Sequence, residues 1–234
     1  MSSIPKPLIY DPPLDPLKII HQDDDLLVLS KPDGLLSVPG KGAHLADCME
    51  SRARAQFPNA LLVHRLDMDT SGLFIMAMNK KAQIHLGQQF ERRKIDKTYI
   101  ARVSGHPKQD HGFIDLPLRC DWPNRPMQMV CHDHGKPSQT HWRVIAREQD
   151  YRNDRAENQT PAETALIELK PITGRSHQLR VHLQALGFPI LGDMLYAPYA
   201  VEKTSHRMEL HALHITLYHP QSNDRLSFSD PCPF

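Results

Sequence analysis

Three alternating segments, Thr98–Val103, Met127–Cys131 and His141–Ala146, follow one another with no helical stretch between them. Each is bounded by Gly or Pro, the pattern of half-buried strands joined by turns. Strands that succeed one another directly pair antiparallel, because a parallel neighbour needs a crossover of about a dozen residues or more. Only three segments carry a good helical pattern. These are residues 44–56, residues 80–93 with Ala82, Leu86 and Phe90 on one face and Asn79 as cap, and residues 176–186, where Leu179, Leu183 and Leu186 precede Gly187. The fold class that follows is α+β, a mixed, largely antiparallel sheet with flanking helices, not a doubly wound βαβ arrangement.

Further strands are expected at Leu26–Leu29, which runs into the turn Lys31-Pro32-Asp33-Gly34, at Leu73–Met78, at Ala165–Leu169, and at Leu210–Tyr218 with a partner around Leu226–Phe228. Arg152–Pro161 is polar and aperiodic, as expected of a surface loop between two strands. No repeat or low-complexity tract interrupts the chain.

With 234 residues, 40% of them hydrophobic, the chain suffices for an ordinary buried core. Five prolines and no apolar run fill the first twenty residues, which excludes a secretory or transit helix there and points to a cytoplasmic protein. The longest apolar run, Leu73–Met78, is far short of the roughly 20 residues a membrane span needs. Four cysteines without a C-x-x-C pair read as reduced thiols. Fifteen histidines raise the question of a metal, yet there is no H-E-x-x-H, and the closest groupings, His132/His134 and His211/His214, lack a third ligand at a characteristic spacing, so no metal is assigned.

The net charge of +1 conceals an asymmetry. Residues 1–30 carry five Asp against two Lys, and residues 91–147 carry eleven Lys/Arg against six Asp/Glu. Such a middle segment suits either a polyanion-binding face or a solvated mixed-charge surface.

Chemistry concentrates in three places. His64-Arg65-Leu66-Asp67-Met68-Asp69-Thr70-Ser71-Gly72 lies in a loop between two apolar segments. Glycoside hydrolysis uses carboxylates about 5–9 Å apart across a bond, which neighbours in one loop achieve poorly. A single nucleophilic carboxylate fits better, and so does an Asp that caps a turn or pairs with Arg65. Thr173-Gly174-Arg175-Ser176-His177-Gln178-Leu179-Arg180 joins a strand to a helix and puts donors around a helix start, where Arg175 either binds phosphate or pairs with a carboxylate such as Asp67. Arg92-Arg93-Lys94-Ile95-Asp96-Lys97-Thr98-Tyr99 runs from a basic helix end into a strand, where the Tyr99 ring is either core or a stacking face for a base.

Together these pieces resemble the RluA family of pseudouridine synthases over nearly the whole chain. The family pattern H-R-L-D-x-x-T-S-G stands unbroken from His64 to Gly72. Lys31-Pro32 with Gly34-Leu35, Lys97-x-Tyr99 with Arg102-Val103, Gly135-Lys136-Pro137, and the run from Thr173 to Arg180 with Gly192-Asp193 follow in the family's order and spacing, and Asp121-Trp122-Pro123-Asn124-Arg125-Pro126 adds a likeness to one branch within the family. The resemblance implies one catalytic domain over residues 21–234 with a central active-site cleft, behind a short leader of residues 1–20 that cannot hold the S4 RNA-binding domain of many relatives. It implies Asp67 as catalytic carboxylate, Tyr99 as the ring stacked on the target uracil, and Arg175 as the arginine paired with the aspartate. Expected RNA contacts are Arg65, His64, Arg92, Arg93, Lys97, Arg125, Lys136, His177 and Arg180. Met68 departs from the Lys often found there, which removes one expected phosphate contact.

The reaction implied breaks N1–C1′ of a flipped uridine and joins C5 to C1′, so it consumes no water, metal or redox cofactor. The partners implied are transfer RNA, at the anticodon stem-loop, and 23S ribosomal RNA, bound by a monomer without membrane attachment. A non-catalytic RNA-binding module and a nucleoside or glycoside hydrolase are the alternatives.

Overall fold

The computed structural model describes residues 10–150 and 162–234 of the chain. The loop expected at Arg152–Pro161 lies outside the described residues. The strands are β1 (Lys18–Gln22), β2 (Leu26–Lys31), β3 (Leu61–Leu62), β4 (Ser71–Ala77), β5 (Asp96–Ser104), β6 (His111–Asp115), β7 (Leu118–Cys120), β8 (Gln128–Val130), β9 (Gln139–Asp150), β10 (Ala162–Pro171), β11 (Leu210–Tyr218) and β12 (Arg225–Ser229). The helices are α1 (Met49–Gln56), α2 (Lys80–Glu91), α3 (Gln178–Ala185) and the single turn α4 (Tyr199–Glu202). β1 straddles the boundary expected between leader and domain, because it pairs with β2 as part of the main sheet.

That sheet has the order β1-β2-β4-β11-β5-β10-β9-β6, with β12 beside β11 and β3 beside β4. The α+β class with a mixed, largely antiparallel sheet is what the structure has: β4 and β11 pair in parallel, and the other pairings are antiparallel. β7 and β8 form a separate two-stranded ribbon. The Met127–Cys131 strand therefore belongs to this ribbon, and its short partner β7 carries too few residues to show a period.

Alternation along β2 and β4 feeds two cores. Leu26, Val28, Leu73, Ile75 and Ala77 meet Ala82 and Leu86 of α2 on one face. Leu27, Leu29, Phe74 and Met76 meet Met49 and Ala53 of α1 on the other. Both strands are buried on two sides, which is why they read as continuous apolar runs. A third core packs Leu179 and Leu183 of α3 against Ala101, Val103, Ile167 and Leu169. Asn79 caps α2 as expected, its side chain accepting from the Ala82 N–H at 2.9 Å. The helix expected at residues 44–56 splits into a 3-10 turn, Ala43–Leu45, and α1. α3 begins at Gln178, two residues later than the apolar spacing predicts, because His177 sits in the left-handed region at φ 53°.

The middle of the sheet, where β4, β11 and β5 adjoin, carries the site. Gly72 makes the β4–β11 approach possible: its φ is +107°, and a Cβ there would lie 2.3 Å from the Ala212 carbonyl oxygen.

Candidate active site

Asp67 sits in the loop entering β4, and the backbone around it is fixed from outside. Leu66 is clamped by Ser37, whose Oγ donates to the Leu66 carbonyl at 2.6 Å and accepts from its N–H at 3.0 Å. The Thr70 N–H returns to the Asp67 carbonyl at 3.1 Å, closing a turn. Lys31 supplies the third anchor. Its Nζ, on a side chain that is 1% exposed, donates to the carbonyls of Pro32, Met68 and Thr70 at 2.8, 2.6 and 2.9 Å. Burial brings the Lys31 ammonium down to about 7 against the pull of Asp69, Asp33 and Asp67. The loop is thus held by side chains from β2 and its turn, while the Asp67 carboxylate stays a quarter exposed.

Across from Asp67 stands α3. Arg180 grips Asp193 with two nitrogens, Nε to Oδ2 at 2.8 Å and Nη2 to Oδ1 at 2.7 Å, and reaches Asp67 Oδ2 with Nη1 at 3.5 Å. Both members of the Arg180–Asp193 pair are almost wholly buried. Burial opposes the charge on Arg180, but Asp193 and Asp67 hold the guanidinium firmly protonated. Asp193 Oδ1 also accepts from the N–H groups of Leu195 and Tyr196, so the buried carboxylate is satisfied.

His177 places Nε2 4.0 Å from Asp67 Oδ1 and Nδ1 2.7 Å from the Tyr196 hydroxyl. Burial and Arg180 push the imidazole below its ordinary value, against Asp67 and Asp193. Tyr99 faces Ala212 on one side and Leu169 on the other, and its ring packs between two of the apolar cores. Burial, with the Asp67 charge added, holds its hydroxyl protonated. The ring, not a phenolate, is what Tyr99 offers.

Of the expected site residues, Asp67, Tyr99, His177 and Arg180 converge here, while the Lys97 Nζ lies near Gly174 of the strand–helix turn. Arg175 does not pair with Asp67. Its side chain is exposed, and Nε donates to the Pro137 carbonyl at 3.3 Å. The expectation erred by five residues: residues 175–177 form the bend before α3, and Arg180, inside the helix, is the arginine aimed at the aspartate. His64 is committed to packing instead of to a ligand. Its ring stacks on Phe90 at 4.8 Å, and Nε2 accepts the Ile75 N–H at 2.8 Å.

Arg65, Arg92, Arg93 and Lys136 are exposed, and Arg125 lies over the exposed ring of Trp122 at 3.3 Å. Charge counting overstated the basic segment. Arg102 pairs with Glu209 and Glu148, Arg143 with Glu168 and Arg147 with Asp110, so these three neutralise acids within the protein. Sequence reading passed over Lys31, Asp193 and Tyr196 as site residues. The signal for Asp193 was an arginine at position 180 amid the apolar residues of a helix, which requires a buried acid.

The RNA pseudouridylate synthase family matches this chain over residues 25–185. The chain belongs to that family. Among similar proteins, the dual-specificity RNA pseudouridine synthase RluA of Vibrio vulnificus (strain CMCP6) is 52% identical over 228 residues, covering 97% of this chain and 88% of the relative. The protein of the same name from Escherichia coli (strain K12) is 47% identical over 226 residues, covering 96% and 98%. Among solved structures, human RNA Pseudouridylate Synthase Domain Containing 1 superposes with a TM-score of 0.78 at 28% identity, covering 97% of this chain and 87% of that one. Among the described residues no helix is long and apolar enough to cross a membrane.

Proposed function

We propose that this chain isomerises uridine to pseudouridine in transfer RNA and in 23S ribosomal RNA, as a cytoplasmic monomer, with Asp67 as the reacting carboxylate. The observation that carries the reading is the Asp67–Arg180–Asp193 chain beside Tyr99. One carboxylate is accessible, has a fixed cation for a neighbour, and adjoins an uncharged aromatic ring. A base turned out of its stack costs a few kcal/mol to extrude, and an aromatic platform offsets part of that cost. Tyr99 supplies the platform, Asp67 acts at the sugar–base bond, and Arg180 keeps the carboxylate oriented. Arg65, two residues before Asp67 and exposed, is the side chain that fills the space the base vacates. Arg92, Arg93, Lys97, Arg125 and Lys136 are the phosphate contacts, and Arg175 joins them as an exposed cation at the mouth of α3.

The names of the curated relatives support two RNA substrates. The hydrolase alternative is not favoured, because Asp69 is withdrawn toward Lys31 and Arg180, and burial raises its carboxyl. Tritium release from 5-tritiated uridine, in transcripts of the transfer RNA anticodon stem-loop and of 23S ribosomal RNA, tests the reading. Release by the natural protein from both transcripts, absent with Asp67→Ala, is expected. No release from either transcript, equal release by the variant, or free uracil among the products overturns it.

A further inference from the structure

Hydrogen-bond accounting at Tyr196 fixes the protonation of His177. The Tyr196 side chain is buried, and its hydroxyl oxygen accepts the Gln128 N–H at 2.7 Å. The hydroxyl proton then needs an acceptor, and the atom within reach is His177 Nδ1 at 2.7 Å. Nδ1 therefore carries a lone pair, and the imidazole proton sits on Nε2, the nitrogen facing Asp67. Protonating both nitrogens would turn Nδ1 into a donor and strand the Tyr196 hydroxyl proton without a partner. The same residue is held at φ 53° and ψ 18°, a backbone conformation costly for histidine, in the bend just before α3.

Nε2–H and the Asp67 carboxylate are 4.0 Å apart, too far to bond directly. One oxygen fits between them. Contacts of about 2.8 Å to both points open an angle of about 90° at the shared atom. On a nucleotide, an oxygen that both accepts from Nε2–H and donates to Asp67 Oδ1 is a hydroxyl. A uracil carbonyl or a phosphate oxygen would turn lone pairs toward the carboxylate. The hydroxyl nearest the reacting C1′ of a nucleotide is the ribose 2′-hydroxyl, both donor and acceptor, and it separates RNA from DNA. Resting on the pseudouridine synthase reading, we propose that His177 and Asp67 form a two-point receptor for the 2′-hydroxyl of the target nucleotide, with Tyr196 the positioning residue that fixes the imidazole as an Nε2–H donor.

The test is a cycle on stem-loop RNA with uridine or 2′-deoxyuridine at the target position, read as single-turnover rate and as Kd. The natural protein is compared with His177→Asn, since Asn tolerates the left-handed backbone while its shorter side chain withdraws the donor. The natural protein is expected to lose at least tenfold on the deoxy substrate, in rate or in Kd. His177→Asn should lose a similar factor on uridine and less than threefold more on the deoxy form. A deoxy penalty absent from the natural protein, or unchanged within twofold in the variant, overturns the receptor. No pseudouridine from the uridine stem-loop with the natural protein would overturn the underlying reading instead.

Tyr196→Phe supplies an independent arm. The groups facing His177 are Asp67 from the loop before β4, Arg180 from α3, and Asp193 and Tyr196 from the segment after α3. Only Tyr196 changes in this variant. Removing its hydroxyl lets the neutral imidazole carry its proton on Nδ1 instead of Nε2, so the deoxy penalty should shrink at least threefold from that of the natural protein. A deoxy penalty within twofold of the natural one overturns the positioning role.

Discussion

Arg180 gives two nitrogens to Asp193 and turns the third toward Asp67, with Nε and Nη2 at 2.8 and 2.7 Å from one carboxylate and Nη1 at 3.5 Å from the other. The planar fork is fixed by the buried Asp193 carboxylate, so its position does not depend on Asp67. On the proposed function, a cation preset in this way orients the Asp67 carboxylate without reorganising when substrate arrives.

Arg175 in the strand–helix turn and Arg180 inside α3 should therefore behave differently. Arg180→Lys keeps the charge but loses the fork that spans Asp193 and Asp67. Single-turnover pseudouridine formation is expected to fall at least a hundredfold, with RNA Kd changed less than threefold. Arg175→Ala should leave the rate within threefold and weaken binding modestly. Equal effects of the two substitutions on rate would contradict the assignment.

Asp193→Asn tests the buried half of the pair. It leaves the Arg180 charge in a dry environment without its main counter-ion, and breaking such a pair costs about 3–5 kcal/mol. Urea unfolding is expected to show a loss of that order. A variant as stable as the natural protein would show that Arg180 finds another partner.

Lys31→Met removes a costly buried ammonium but strands three carbonyls, at about 1–3 kcal/mol for each buried acceptor left unpaired. The acceptors outweigh the relief. Thermal unfolding should show a clear drop in Tm, and turnover should fall more than RNA affinity, because the Met68 and Thr70 anchors hold the Asp67 loop. Unchanged Tm would mean that water or another donor replaces Nζ.

His64 gives stability a pH dependence of known sign. Burial, with Lys97 adding to it, lowers the imidazole to about 3 from an ordinary value near 6.5. Below about 6.5 the unfolded chain binds a proton that the native state refuses, so stability is complete above that pH and is lost as the pH falls toward 3. His64→Gln keeps an acceptor for the Ile75 N–H and does not titrate. Unfolding free energy measured from pH 7 to 4 should decline less steeply in the variant, by up to about 1.4 kcal/mol per pH unit. Parallel curves would show that His64 remains solvated.

Wherever burial wrote itself into period or run, the fold was legible in sequence. The apolar runs at residues 26–29 and 73–78 mark the two-sided strands β2 and β4, and Asn79 before Ala82, Leu86 and Phe90 marks the cap and face of α2. Asp67 was legible because its flanking residues form a contiguous pattern. Arg180 was misread as an RNA contact because helical spacing starts α3 at residue 176, and the left-handed turn at His177 that delays it leaves no periodic trace. Lys31 and Tyr196 act through contacts 37 and 68 residues away, with Met68 and Gln128, and no local pattern encodes such pairings.

The central claim is that the Asp67 carboxylate performs the chemistry, and Asp67→Asn tests it with almost no change of shape. Single-turnover pseudouridine formation at saturating stem-loop RNA, measured beside Kd for the same RNA, is predicted to fall by about ten-thousandfold or more, as for loss of an essential group, with Kd within threefold of the natural protein. A variant that keeps more than a tenth of the natural rate would contradict the account.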